Sequence, residues 1–291
     1  MKHHFLLFLR YIILLNLAVF FCQNGFTQYF YHDIVLTMQN REQQQLYKKN
    51  HISFVKLISY EANGQPTADF TCEVTLNKDY TQTKTFTASP ISGSSLLTAF
   101  FDAGGLPCRS TDSSAEVVNE YEYKYDPAGR LSEARSASGD PSGKAKEVEA
   151  HLWQYDQVGG AKSMYRIKNG TDTTFVEFVC DEQGNVIEEQ SRWRQIAKEK
   201  IYYYYDSSNR LTDIVRYNSR AGRLLPDYMF EYDALGQLSQ MIIMQQGEND
   251  YLIWKYQYEE NGLRKSATCL NKLKKPVGRI AYQYYTQPMQ K

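Results

Sequence analysis

The residues best able to do chemistry are few and scattered. Histidine is the usual general base and metal ligand. Beyond His3 and His4 the sequence holds His32, His51 and His151, with no HExxH pair and no other metal-ligand spacing. No GxSxG elbow and no phosphate-binding glycine loop occurs. Carboxylates are plentiful, but their most regular column, which includes Asp126 and Asp156, falls in turns and would stand at neighbouring hairpin ends, outside a cleft. The sequence therefore predicts no catalytic residue, no metal site and no cofactor, and a non-enzymatic role.

Other groups carry weaker signals. Cys72, Cys108, Cys180 and Cys269 have no CxxC spacing and no histidine nearby, so zinc is not expected. In an exported chain these four allow three pairings, and the sequence favours none. Cys180 stands where other copies of a repeat carry tyrosine, which favours a packed thiol. Asn169-Gly170-Thr171 matches a glycosylation sequon, but Asn-Gly is also a two-residue hairpin signal. Lys272, Lys274 and Lys275 read as a solvated turn. The aromatics are the richest material: 24 tyrosines and 14 phenylalanines, types that favour strands. Rings such as Tyr203, Tyr205, Tyr232 and Trp254 could line a cavity for a glycan or lipid, and a filled core would have the same pattern.

What positions these residues is a repeat. An aromatic residue is followed by Asp or Glu, two free positions, Gly or Asn, one free position and often an aliphatic. The copies begin at Tyr60-Glu61, Phe101-Asp102, Tyr125-Asp126, Tyr155-Asp156, Cys180-Asp181, Tyr205-Asp206, Tyr232-Asp233 and Tyr258-Glu259. Tyr284 is placed to begin a closing half-unit. The fifth position, glycine except for Asn209, suits a left-handed residue, and the acidic side chain suits the start of a type I turn. Asp206 is expected to pair with Arg210, and Tyr205 to face Leu211.

Segments between the turns alternate. Tyr121, Tyr123 and Tyr125 share one face while Glu122 and Lys124 share the other, and Trp254, Tyr256 and Tyr258 alternate with Lys255 and Gln257. Tight links at Asn169-Gly170, Ala221-Gly222 and Gln246-Gly247 join the units. The fold expected is all-β: an antiparallel up-and-down meander of roughly sixteen strands, forming one large twisted or curled sheet. Residues 69–76 and 83–89 would add strands, residues 135–149 would form a longer loop, and residues 36–49 would form one short helix covering part of the aromatic face.

The first residues read as an export signal. Lys2, His3, His4 and Arg10 precede an apolar run from Tyr11 to Phe21, with Gly25 and Thr27 before a cut at Gln28. Phe20 and Phe21 before Cys22 argue against lipidation. Loss of Lys2 and Arg10 leaves 31 basic against 33 acidic residues, so no basic footprint for nucleic acid remains. The division expected is a signal peptide over 1–27, a helix and leading strand over 28–59, and the repeat sheet over 60–291. An outer-membrane barrel fits export and abundant tyrosine. It is disfavoured because tyrosine runs along whole strands, charge runs along the opposite face, and the chain ends Met289-Gln290-Lys291.

The units KYDPAGRL, YYDSSNRL and EYDALGQL resemble the YD repeats of the Rhs family, over about residues 60–285. That resemblance implies strands of a long sheet able to wind into a shell, in large secreted or surface proteins that can enclose a toxic C-terminal domain. Here the chain is short and nothing toxin-like follows. The expected role is an exported non-catalytic envelope or surface protein, periplasmic, outer-surface or secreted. Its sheet would be a scaffold for a protein partner or a cell-surface glycan, with no transmembrane segment after signal cleavage. The alternative is a glycan- or lipid-binding module with an aromatic-lined cavity.

Overall fold

Each repeat unit is held by the same few hydrogen bonds. In the copy at Tyr125 the Asp126 amide donates to Arg130 O at 2.8 Å and the Gly129 amide to Asp126 O at 2.9 Å. Asp126 Oδ1 accepts the amides of Ala128 and Arg130, both at 2.9 Å, and Oδ2 takes the Arg130 guanidinium at 2.6 Å. The carboxylate thus satisfies two loop amides that no strand could reach. Asp102, Asp156, Asp181, Asp206 and Asp233 repeat the amide pattern. The expected Asp206–Arg210 ion pair is present at 2.7 Å, and Tyr205 lies opposite Leu211.

The fifth position of all eight copies has positive φ, with Asn209 at 58°. Asn209→Gly should therefore leave the melting temperature unchanged or slightly raised. Asn209→Val should cost about 1–2 kcal/mol, because a β-branched residue resists that conformation. Equal melting temperatures for the two variants would contradict the turn.

The aromatic position is explained by the next strand pair. The hydroxyls of Tyr125, Tyr155, Tyr205, Tyr232, Tyr258 and Tyr284 donate to the carbonyls of Pro107, Leu131, Val186, Leu211, Leu238 and Arg264 at 2.7–2.9 Å. Each acceptor lies just past the preceding copy's turn. Cys180 Sγ donates to Ala161 O at 3.3 Å in the equivalent place, so the packed thiol substitutes for a hydroxyl. Arg130 and Arg210 each bind their own turn's aspartate and stack on the next copy's tyrosine, at 4.5 and 4.7 Å. Successive copies are thereby stitched side by side.

This computed structural model describes residues 29–143, 146–194, 196–219, 221–244 and 250–286. The expected signal over 1–27, Cys22, the Gln246-Gly247 link and Met289-Gln290-Lys291 lie outside them. The strands are β1 (Phe54–Glu61), β2 (Thr71–Leu76), β3 (Gln82–Ser89), β4 (Gly93–Phe101), β5 (Pro107–Ser114) and β6 (Val118–Tyr125). Next come β7 (Leu131–Gly139), β8 (Lys146–Tyr155), β9 (Ala161–Lys168), β10 (Asp172–Cys180), β11 (Val186–Trp193) and β12 (Ile196–Tyr205). The last are β13 (Leu211–Asn218), β14 (Arg223–Tyr232), β15 (Leu238–Met244), β16 (Tyr251–Tyr258), β17 (Arg264–Asn271) and β18 (Pro276–Tyr285).

Every strand pairs antiparallel with its sequence neighbours, and β1 pairs β18 from Phe54–Tyr285 to Glu61–Gly278. The antiparallel meander and its short helix agree with the sequence reading, but the sheet does not stay an open twisted or curled ribbon. It closes into an 18-stranded barrel with no free edge. Tyr284 shows why the ends meet: its strand carries the repeat's tyrosine and also offers its other edge to β1. The loop expected over 135–149 is corrected at 135–139 and 146–149, which are paired ends of β7 and β8, because Ser136 and Ser138 alternate inward as small strand residues. The first copy, at Tyr60, turns at the mouth opposite the other seven.

The helix α1 (His32–Lys49) starts four residues earlier than expected. It covers the mouth that carries the seven turns: Gln44 Nε2 donates to Tyr80 O at 2.5 Å and Gln45 Nε2 to Gly104 O at 3.2 Å. Gly105 permits the approach, since a Cβ there would meet Arg41 O at 3.4 Å and its φ is +86°. Inside, apolar faces form two clusters. One gathers Val55, Leu57, Val74, Trp254, Tyr256 and Ile280, the other Tyr121, Tyr123, Trp153, Met164, Val176 and Tyr203.

Candidate functional site

The aromatic side chains that the alternative reading placed around a cavity are packed among the described residues of the lumen. Trp254 is 0% and Tyr203 2% exposed, and both sit within the packed clusters. Tyr205 and Tyr232 spend their hydroxyls on the carbonyl stitching. Trp153 and Phe178 stack at 5.0 Å, filling the space between β8 and β10.

Sequence reasoning missed a polar constellation at mid-height in the lumen, where residues ahead of α1 enter the barrel wall. Glu189, 1% exposed, accepts the amides of Phe30 at 2.9 and 3.0 Å and of Tyr31 at 3.0 Å, plus the Tyr203 hydroxyl at 2.7 Å. The helix has no side-chain cap of its own, so a barrel carboxylate supplies one. Burial pushes the Glu189 pKa up, and the two backbone amides and the tyrosine oppose that shift. One turn on, Asp33 Oδ2 lies 2.6 Å from His151 Nδ1 and 3.3 Å from Trp153 Nε1. The other ring nitrogen of His151 is 3.0 Å from Glu149 Oε1, and Glu149 Oε2 takes Arg166 at 2.6 Å.

With a carboxylate on each nitrogen, His151 must donate twice and is an imidazolium. Burial alone would lower its pKa, but Asp33 and Glu149 override that and raise it to about 9. Burial likewise works to raise Glu149, and His151 and Arg166 hold it down at about 2. His151 is 1% exposed with both nitrogens taken, so it has neither substrate access nor a free lone pair. The constellation is a fastening. No group of three metal-ligating side chains occurs among the described residues.

A groove lies at the other mouth, between the β9–β10 and β11–β12 hairpins. It has a volume of about 800 Å³ and is bounded by Tyr165, Phe175, Asp172, Arg192, Trp193 and Arg194, with Thr171 and Thr173. Register makes it: Tyr165, Phe175 and Arg192 are cross-strand neighbours on the outer face. The Tyr165 and Phe175 rings are 5.0 Å apart. Trp193 Nε1 donates to Asp172 Oδ1 at 2.5 Å, and the Arg194 guanidinium lies 4.4 Å above the indole. No spacing in the chain marks this groove, because the three aromatics lie on separate strands.

The remaining sequence candidates are accounted for locally. Asp126, whose pKa the Arg130 hydrogen bond lowers, and Asp156 stay in their separate turns. Asn169, with φ 50°, and Gly170, with φ 72°, make the two-residue hairpin. All four cysteines are free; burial pushes Cys72 up to about 11 and Cys269 up to about 12, which keeps both thiols protonated and inert.

No family model matches the chain, and no curated protein matches it. Among solved structures it is similar to a porin-like protein from Bacteroides uniformis, with 9% identity and a TM-score of 0.42, covering 80% of this chain and 98% of that one. A porin-like protein from Bacteroides vulgatus gives 14% identity and a TM-score of 0.29 over the same shares. A TcdB2-TccC3-Cdc42 structure gives 15% identity and a TM-score of 0.34, covering 75% of this chain but only 12% of that one. The Rhs resemblance drawn from the turn motifs is corrected by the closure of the sheet: no family model supports it, and the strands form a closed 18-stranded barrel in place of an open repeat sheet. The turn chemistry is local and serves a barrel equally well.

Proposed function

We propose that this chain is an exported, non-catalytic barrel of the cell envelope that works by binding at its outer surface and conducts nothing through its lumen. The observation that carries this reading is an inversion of the porin pattern: the inside is packed with aromatic and aliphatic side chains, its polar groups tied to one another as at Glu189 and His151, and the outside is charged. Lys124–Glu133, Lys200–Glu188 and Arg192–Glu177 pair across strands on the outer face at 2.5–2.7 Å. A charge at the middle of a lipid-facing strand would cost about 2–4 kcal/mol, so this wall suits water. No described helix is long and apolar enough to cross a membrane. The porin-like neighbours are in keeping with an envelope protein and carry no more than that.

Removal of residues 1–27 belongs to the same proposal. Fractionation should recover the mature chain outside the cytoplasm, beginning at Gln28 and extractable without detergent, and planar bilayers exposed to it should show no channel steps. Detergent-dependent extraction with stepwise conductance would overturn the reading.

A further inference from the structure

We propose that the groove between the β9–β10 and β11–β12 hairpins binds an acidic glycan, a pyranose chain bearing carboxylates. The inference deepens the surface-binding reading above and rests on it.

Two features select the ligand. The first is a pair of ring surfaces: Tyr165 is 37% exposed on the outer face, while Met164 beside it and Val176 on the next strand are fully buried on the inner one. Together with Phe175 it offers an apolar floor suited to the C–H face of a sugar ring. The second is the balance of charge. Glu177 is neutralised by Arg192, and Asp172 accepts the Trp193 indole N–H and keeps its charge, so two further cations face one anion. Arg194 lies over the indole at 4.4 Å, and Lys198 Nζ is 5.6 Å from the same ring. Neither cation has a carboxylate partner among the described residues. Held over the indole at 4.4 Å, the Arg194 guanidinium carries the paired N–H donors that receive a carboxylate with two parallel hydrogen bonds. A groove of about 800 Å³ is of a size that takes a few sugar units. A neutral glycan would use the floor and leave the two cations idle.

The test is titration of the mature protein with galacturonate oligomers, read by calorimetry and tryptophan fluorescence, with maltohexaose and inorganic polyphosphate as comparisons. Saturable binding of the uronate is expected, at least tenfold tighter than either comparison and weakened by salt. Arg194→Gln should weaken it tenfold or more with an unchanged melting temperature, and Trp193→Ala should weaken it further. Absence of uronate binding, equal binding of maltohexaose, equal binding of polyphosphate, or no effect of Arg194→Gln would each overturn the proposal. Because export and conductance are measured separately, such a failure would leave the surface-barrel reading standing, whereas channel activity would remove both.

Discussion

Trp254→Ala should lower the stability of the barrel by about 3–5 kcal/mol, the range for truncating a large aromatic in a filled core. Trp254 is 0% exposed and faces Met241 on β15 and Cys269 on β17 across the strand pairs. Neither neighbour is long enough to fill the space an indole leaves, and the closed sheet limits inward collapse. Urea denaturation of the mature protein should show a large fall in midpoint, with Trp254→Phe losing much less. An alanine variant that unfolds at the wild-type midpoint would mean that the lumen is hollow at this level, and an aromatic-lined cavity would return as a reading.

The repeat shows which parts of a fold are written locally. Asp206, Asn209 and Arg210 lie within five residues, so their turn could be read from spacing alone, down to the ion pair and the left-handed residue. Tyr205 and Leu211 were legible for the same reason. Closure was not legible. Nothing within a unit distinguishes an edge that stays free from one that meets β1, and β2 and β3, which obey no repeat, separate the first copy on β1 from the regular series. The misreading of residues 135–149 has a related cause. Ser136, Ser138 and Glu149 look like loop composition, yet they alternate inward on strands held by neighbours on both sides.

The candidate sites were hidden by sequence distance. Glu189 is separated from Phe30 by 159 positions, and His151 from Asp33 by 118. The groove had no motif because it is a row across strands, and such a row follows only once register is known.

Glu189→Ala should cost about 3–5 kcal/mol, because it strands buried donors that no water can reach. The amides of Phe30 and Tyr31 and the Tyr203 hydroxyl lose their acceptor together, so the segment ahead of α1 should come away from the wall. Hydrogen exchange at Phe30 and Tyr31 should rise to the rate of an open chain, while exchange in β1 and β18 changes little. A variant whose Phe30 amide stays protected would show that the helix mouth is held by other contacts. The neighbouring His151 fastening adds a pH signature. Its pKa is raised from 6.5 to about 9, so its contribution is complete below 6.5 and is lost as pH rises through 9. Glu149 acts in the opposite sense: held near 2 against an ordinary 4.5, it stabilises fully above 4.5 and is lost as pH falls through 2. Stability from this cluster should therefore be greatest between about pH 4.5 and 6.5. Trp153, whose indole shares Asp33 Oδ2 with the imidazole, gives the readout. Its fluorescence and the melting temperature should change together on the alkaline limb, and His151→Gln should abolish that limb near pH 9 and shrink the acid one to the share that Arg166 supplies. An alkaline limb that survives in His151→Gln would assign it to another group, the buried tyrosines first among them.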